Sequence, residues 1–135
     1  MTRNQTVEIN HLTVLQIQYL TELEQLEKGR GTIGAVAAKC GVKHPTVSRF
    51  FKSCIEKGYL TESLEFTDKG KKMLRWHQKV QKDVREYLER SGITEGIDDV
   101  LKGMIENIDY RRLEELTKSH MRINKEIRMQ KEQNQ

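Results

Sequence analysis

One proline, one tryptophan and two cysteines are all that the 135 residues hold of these types. With Pro45 alone, almost the whole chain is open to helix, because little else removes a backbone N–H or crowds a preceding turn. Cys40 and Cys54 have neither a disulfide-framework nor a zinc-ribbon spacing, so two reduced core thiols and a cytoplasmic location are expected. No apolar run approaches the roughly 20 residues needed to cross a bilayer, and the first residues lack a signal-like apolar stretch, so no membrane partner is expected. The chain also shows no nucleophile–base pair, no glycine-rich phosphate loop and no paired-carboxylate cleft, and an enzyme is not expected.

Charge is abundant instead. Charged residues make up 33% of the chain against 36% hydrophobic, with a formal net charge of +4 and a pI of about 9.1. A basic balance suits a polyanion when the charge gathers on one face. A modest core beside long charged helices implies apolar surface buried against a second copy, so a homodimer is expected.

Periodicity gives the layout. Residues 1–11 are polar. Leu12, Leu15, Tyr19, Leu23 and Leu26 recur at helical spacing and stop near Lys28-Gly29-Arg30-Gly31. Thr32 is placed to cap a short helix from Ile33 to Cys40, which Gly41 breaks. A third helix is expected from His44 to Lys57, with Pro45 in its first turn, where a missing N–H costs least. Tyr59 to Phe66 read as a tiny hairpin of two minimal strands. Thr67 then caps a long helix with the stripe Met73, Trp76, Val80, Val84, Tyr87 and Leu88. A fifth helix opens at Thr94, and Asp109 caps a last one, where Leu113, Leu116, His120, Ile123 and Ile127 form a short heptad seam. The expected fold is mostly α: a winged helix-turn-helix with a very short β-hairpin wing over 1–67, and a C-terminal helical dimerisation domain over 68–135, joined rigidly by the long helix.

The informative run is Val36 to Phe50. Two helices that cross tightly need a small residue at the crossing, and Ala37 supplies it. The turn between them needs a residue at ease with positive φ, and Gly41 follows four positions later. Val42, Val47 and Phe50 then return apolar side chains toward Val36 and Cys40. This is the helix-turn-helix layout. Its second helix offers Lys43, His44, Thr46, Ser48, Arg49 and Lys52 to double-stranded DNA. Arg49 suits the bidentate edge of a guanine, Thr46 and Ser48 suit phosphates or base edges, and Lys43 and Lys52 suit phosphates. No acid interrupts this helix from Thr46 until Glu56. A plain helical hairpin with a basic face would share the charge but not the turn chemistry. The wing tip, Glu62-Ser63, holds no base, so a structural wing is expected. Lys69, Lys71, Lys72 and Arg75 open the long helix, where a solvated charged face is the expectation, with phosphate contact near the wing as the alternative for some of them.

Val36 to Arg49, Gly58-Tyr59-Leu60, Phe66-Thr67-Asp68-Lys69-Gly70-Lys71-Lys72, Tyr87-Leu88 and Ile93 together resemble the diphtheria-toxin-repressor family, most closely its small manganese-sensing branch without an SH3-like domain. The start, Leu12 to Gln16, is similar to the multiple-antibiotic-resistance-regulator family, whose longer basic wing is lacking here. The first resemblance covers roughly residues 13–120 and implies a dimeric repressor of palindromic operators. It also implies a site for divalent manganese or iron made from acids and histidines. In this chain those positions fall on Thr13, Gln16, Gln81, Gly103, Glu106 and Asn107, of which only Glu106 keeps a ligand-type side chain. His77, one turn before Gln81, is a candidate substitute, or a core histidine beside Trp76 and Val80. Two outcomes stay open for the degenerate pocket: mutual bonding of Gln16, Gln81 and Asn107, or a small organic effector. Alternatives to a metal-independent regulator are a metal-responsive repressor with a rebuilt manganese, iron or zinc site, and a winged-helix protein-interaction adaptor.

Overall fold

The computed structural model describes residues 12–27 and 29–133, with the side chains at 120, 121 and 124 outside the description. The polar leader 1–11, Lys28 and the His120 position of the seam therefore lie outside the described residues. Two compact units emerge, Leu12–Gln78 and, of the residues described, 79–133. The long helix contributes to both.

In the first unit α1 spans Val14–Gln25. Thr13 caps it reciprocally: its hydroxyl accepts the Gln16 N–H at 3.1 Å, and the Gln16 side chain accepts the Thr13 N–H at 3.0 Å. α2 is Thr32–Cys40. Thr32 is not its cap. Gly31 holds that place with a left-handed backbone, and the Thr32 hydroxyl turns back to the Gly29 carbonyl at 2.6 Å. α3 is His44–Glu56, with Pro45 in its first turn. Ile17, Leu20, Leu23, Val36, Val47, Phe51 and Cys54 share one core with Tyr59, Leu60 and Leu74. Phe50 is only half-buried there, edge-on to Tyr19 with ring centroids 5.8 Å apart. Phe51, not Phe50, is the aromatic fully buried from α3.

The expected hairpin of two strands is not found. Among the described residues there is no strand, and one antiparallel bridge pairs Leu60 with Phe66. The reason is where the donors go. The Tyr59 and Leu60 N–H groups both point to the Cys54 carbonyl at the end of α3, at 2.9 and 3.4 Å. The arm leaving α3 is thus bound to the helix and has little left to extend a ladder. A Thr61 N–H to Glu65 carbonyl bond of 2.8 Å closes the tip, and Leu64 takes a left-handed φ of 62°.

This loop is docked on the start of α4, Asp68–Arg90. The Thr67 hydroxyl accepts the Gly70 N–H at 3.0 Å and donates to the Gly58 carbonyl at 2.6 Å, with the Tyr59 carbonyl at 3.1 Å. Gly70 is required for the approach: a Cβ there would overlap the Tyr59 carbonyl oxygen and sit 2.8 Å from its carbon.

In the second unit the remainder of α4 packs with α5, Ile97–Asn107, and α6, Tyr110–Gln133. Gly96 caps α5 rather than Thr94, and Asp98 and Asp99 lie in its first turn, where the helix dipole favours acids. Asp109 accepts the Arg112 N–H at 2.9 Å and so caps α6 as the sequence suggests. Val80, Val84, Leu88, Leu101, Ile105, Tyr110, Leu113 and Thr117 are buried. Beyond Thr117 every described side chain of α6 is exposed.

The Gly70 contact is backbone against backbone, so side-chain repacking cannot relieve it. Gly70→Ala is expected to lower the unfolding free energy by about 3 kcal/mol, and Thr67→Ala by about 1 kcal/mol for the lost cap. Urea denaturation checks both. A Gly70→Ala protein as stable as the parent would contradict the docking geometry.

Candidate nucleic-acid interface

α2 and α3 share one core, and Ala37, the small residue expected at their crossing, is buried in it. The turn between them is built as the sequence suggests. Gly41 adopts φ 68° and ψ 33°, the Val42 N–H returns to the Ala37 carbonyl at 3.0 Å, and the Gly41 N–H to Ala38 at 3.3 Å. These bonds satisfy carbonyls at the end of α2 that would otherwise be orphaned. Val47, Phe51 and Cys54 then form the buried stripe that fixes the rotation of α3 about its axis.

That rotation decides what faces solvent. Lys43, His44, Thr46, Arg49 and Lys52 are exposed, and Ser48 is half-buried at the margin. All six residues picked from the sequence thus lie on the surface of the α3 segment. On helical geometry Pro45, Arg49 and Lys52 occupy the middle of the face opposite Val47 and Phe51, with Ser48 on one flank and Thr46 on the other. Ser53, one turn after Arg49 and half-buried, also borders this face. Ser53 is not among the six residues read from the sequence, although its i, i+4 spacing from Arg49 marks it. Glu56 closes the face with an acid at its far end. Lys43, the residue before α3, supplies no side-chain cap. The first turn thereby presents the positive end of the helix beside Lys43 and His44.

The basic residues of α4 divide. Arg75 reaches Glu24 of α1 with two hydrogen bonds, of 3.0 and 2.5 Å. The Lys69 ammonium donates to the Lys57 carbonyl at 2.9 Å and lies 5.3 Å from the centre of the Tyr59 ring. Both are thus engaged within the fold. Lys71 and Lys72 are exposed. The loop from Leu60 to Phe66 offers Glu62 and Glu65 to solvent and no base.

The positions that the diphtheria-toxin-repressor resemblance assigns to metal have other bonds. Thr13 and Gln16 bond each other in the α1 cap. Gln81 donates to the Tyr110 hydroxyl at 3.0 Å, and Asn107 to the Gly103 carbonyl at 2.7 Å. Their amides are thus held locally, where the sequence left open a bonded trio of Gln16, Gln81 and Asn107. Glu106 is exposed. His77 is fully buried, its Nδ1–H donating to the Met73 carbonyl at 2.8 Å and its ring edge-on to Trp76 at 4.9 Å. Among the described residues no three His, Cys, Asp or Glu side chains gather in a way that could hold a metal ion. No helix is long and apolar enough to cross a membrane.

A small residue at the crossing, a left-handed glycine turn, a solvent-facing second helix and a docked loop before a long helix define a winged helix-turn-helix, here with a wing reduced to a single bridge. The family described as wHTH-PRTase associated matches residues 10–94, and the chain belongs to it. No curated protein and no solved structure matches the chain. The match gives no support to the diphtheria-toxin-repressor family in particular; the winged helix-turn-helix is common to both readings.

The two thiols differ in setting. Burial pushes Cys54 up to about 12 from 9.0, opposed weakly by Lys57. Burial also raises Cys40, reinforced by Glu22 and partly offset by Lys39. Neither has the depressed pKa of a reactive cysteine. Because the folded Cys54 pKa lies above the unfolded value, this thiol favours the fold below pH 9 and loses that contribution as pH rises toward about 12. At pH 8, iodoacetamide is expected to label Cys54 only as fast as the unit opens, so mild urea should accelerate the reaction. Rapid labelling of Cys54 in the native protein would contradict its burial.

Proposed function

We propose that this chain is a DNA-binding transcriptional regulator that reads duplex DNA as a homodimer with α3 in the major groove. The observation that carries the reading is the exposed face of α3. It sets Arg49 and Lys52 opposite the buried stripe Val47, Phe51 and Cys54, on the second helix of a helix-turn-helix. Lys43, His44, Thr46 and Ser48 flank them at the helix start, the end that enters the groove in this motif. Arg49 is assigned to a base edge, and Lys43 and Lys52 to phosphates. The description PRTase associated fits a regulatory domain. With acids at its tip, the reduced wing leaves recognition to α3. Repression, by occupying a palindromic site, is the simplest mode for so small a reading head.

Binding is proposed to be independent of divalent metal. The support is the chemistry of the degenerate positions: Thr13, Gln16, Gln81 and Asn107 carry neutral side chains whose hydrogen bonds are made locally. Neutral amides and a lone carboxylate are poor company for manganese or ferrous iron.

Selection of binding sites from random duplex, followed by titration of the selected site, tests both statements. Arg49→Ala is expected to cost about 1–3 kcal/mol at the selected site and to relax preference at one base pair. Lys52→Ala should weaken all sequences alike and reduce the salt dependence by about one phosphate contact. A chelator should leave the affinity unchanged. An Arg49→Ala protein with its sequence preference intact would remove α3 as the reader. Absent binding at low salt would favour a protein-interaction adaptor, and lost binding in chelator a rebuilt metal site.

A further inference from the structure

The last helix outruns its own core. Leu113 is fully buried and Thr117 nearly so, but Leu116, Ile123 and Ile127 are 38%, 56% and 46% exposed. These apolar positions continue the three–four spacing from Leu113. With Leu113 as a, the d positions are Leu116, Ile123 and Gln130, and the a positions are His120 and Ile127. A helix none of whose described side chains is buried over its last four turns gains little there beyond local propensity, which is weak in water. The stretch also lies outside the 10–94 family match and is therefore not part of the reading head.

We propose that this seam is closed by a second copy of the chain, as a parallel two-stranded coil of α6 with α6. The proposal rests on the dimeric part of the functional reading above and supplies its interface. Charge chooses the partner and direction. In a parallel coil a g residue faces the e residue of the next heptad on the other strand. Glu126 is a g position and Lys131 the following e position, and both are exposed. Two copies in register therefore bring Glu126 of each against Lys131 of the partner subunit, twice by symmetry. From Leu116 to Gln133 no g position is basic and no e position acidic, so an antiparallel pairing, which sets g against g and e against e, gains no such pair.

Sedimentation equilibrium of the full chain, with circular dichroism as a control for folding, tests this. The parent is expected at twice the chain mass of 15.9 kDa, and Ile123→Glu with Ile127→Glu at the monomer mass. Glu126→Lys alone and Lys131→Glu alone should each weaken the dimer several-fold. The double exchange should restore it, and mixing the two single variants should yield a heterodimer. The charge variants alter only exposed side chains, so they carry the test even if the isoleucine variant fails to fold. A monomeric or trimeric parent, a dimer indifferent to Ile123 and Ile127, or charge exchange without rescue would overturn the proposal. Duplex binding separates the two ideas. A monomeric parent that still binds a half-site would sink the seam and spare the reading head, whereas a dimer of this design that binds no duplex would do the reverse.

Discussion

The packing of α3 into the core through Val47, Phe51 and Cys54 is the constraint on which the reading head depends. Val36 of α2 and Val47 of α3 are both fully buried in that core, and without this packing the rotation of α3 would no longer be set. Because Val47, Phe51 and Cys54 are locked inward, Arg49 and Lys52 are locked outward, and the polarity of the exposed face follows from packing rather than from any preference of the basic residues themselves. Gly41 makes the turn between α2 and α3 possible. Its left-handed turn lets Val42 and Gly41 recover carbonyls that α2 would otherwise leave unpaired.

The second fixed point is the junction of loop and long helix. Thr67 joins Gly58, Tyr59 and Gly70 through one hydroxyl, and Gly70 permits the Tyr59 carbonyl to lie directly against the helix. The same junction explains the missing hairpin. Donors that a wing would use in its ladder are spent on the end of α3, so the chain turns back after one bridge. A winged helix-turn-helix can evidently keep its core while reducing the wing to a brace.

Features governed by local chemistry were legible in the sequence. The order of elements, the Gly41 turn, the Thr67 and Asp109 caps and the outward set from Lys43 to Lys52 follow from periodicity and from residues with one conformational use. Other features depend on where a particular donor or ring goes. Thr32 and Thr94 are good capping residues in composition, yet Gly31 and Gly96 take those places through left-handed backbones. Phe50 and Phe51 are indistinguishable by type, and only the helix rotation buries the second. Arg75 and Lys69 are simply bases on a charged helix face by sequence, and their partners, Glu24 and the Lys57 carbonyl, depend on the packing of distant segments. The metal-site positions show the same limit: a resemblance can assign them, but the partners of Gln16, Gln81 and Asn107 belong to this chain's own packing.

The central claim is that α3 is the surface that meets DNA. The most direct measurement is a titration of the labelled protein with a short duplex, following backbone amide shifts residue by residue. The account predicts that the largest changes cluster from Lys43 to Ser53, with only minor changes in the loop from Leu60 to Phe66 and along α6. Changes centred on α6 or on Lys71 and Lys72, with the Lys43–Ser53 amides unmoved, would contradict it.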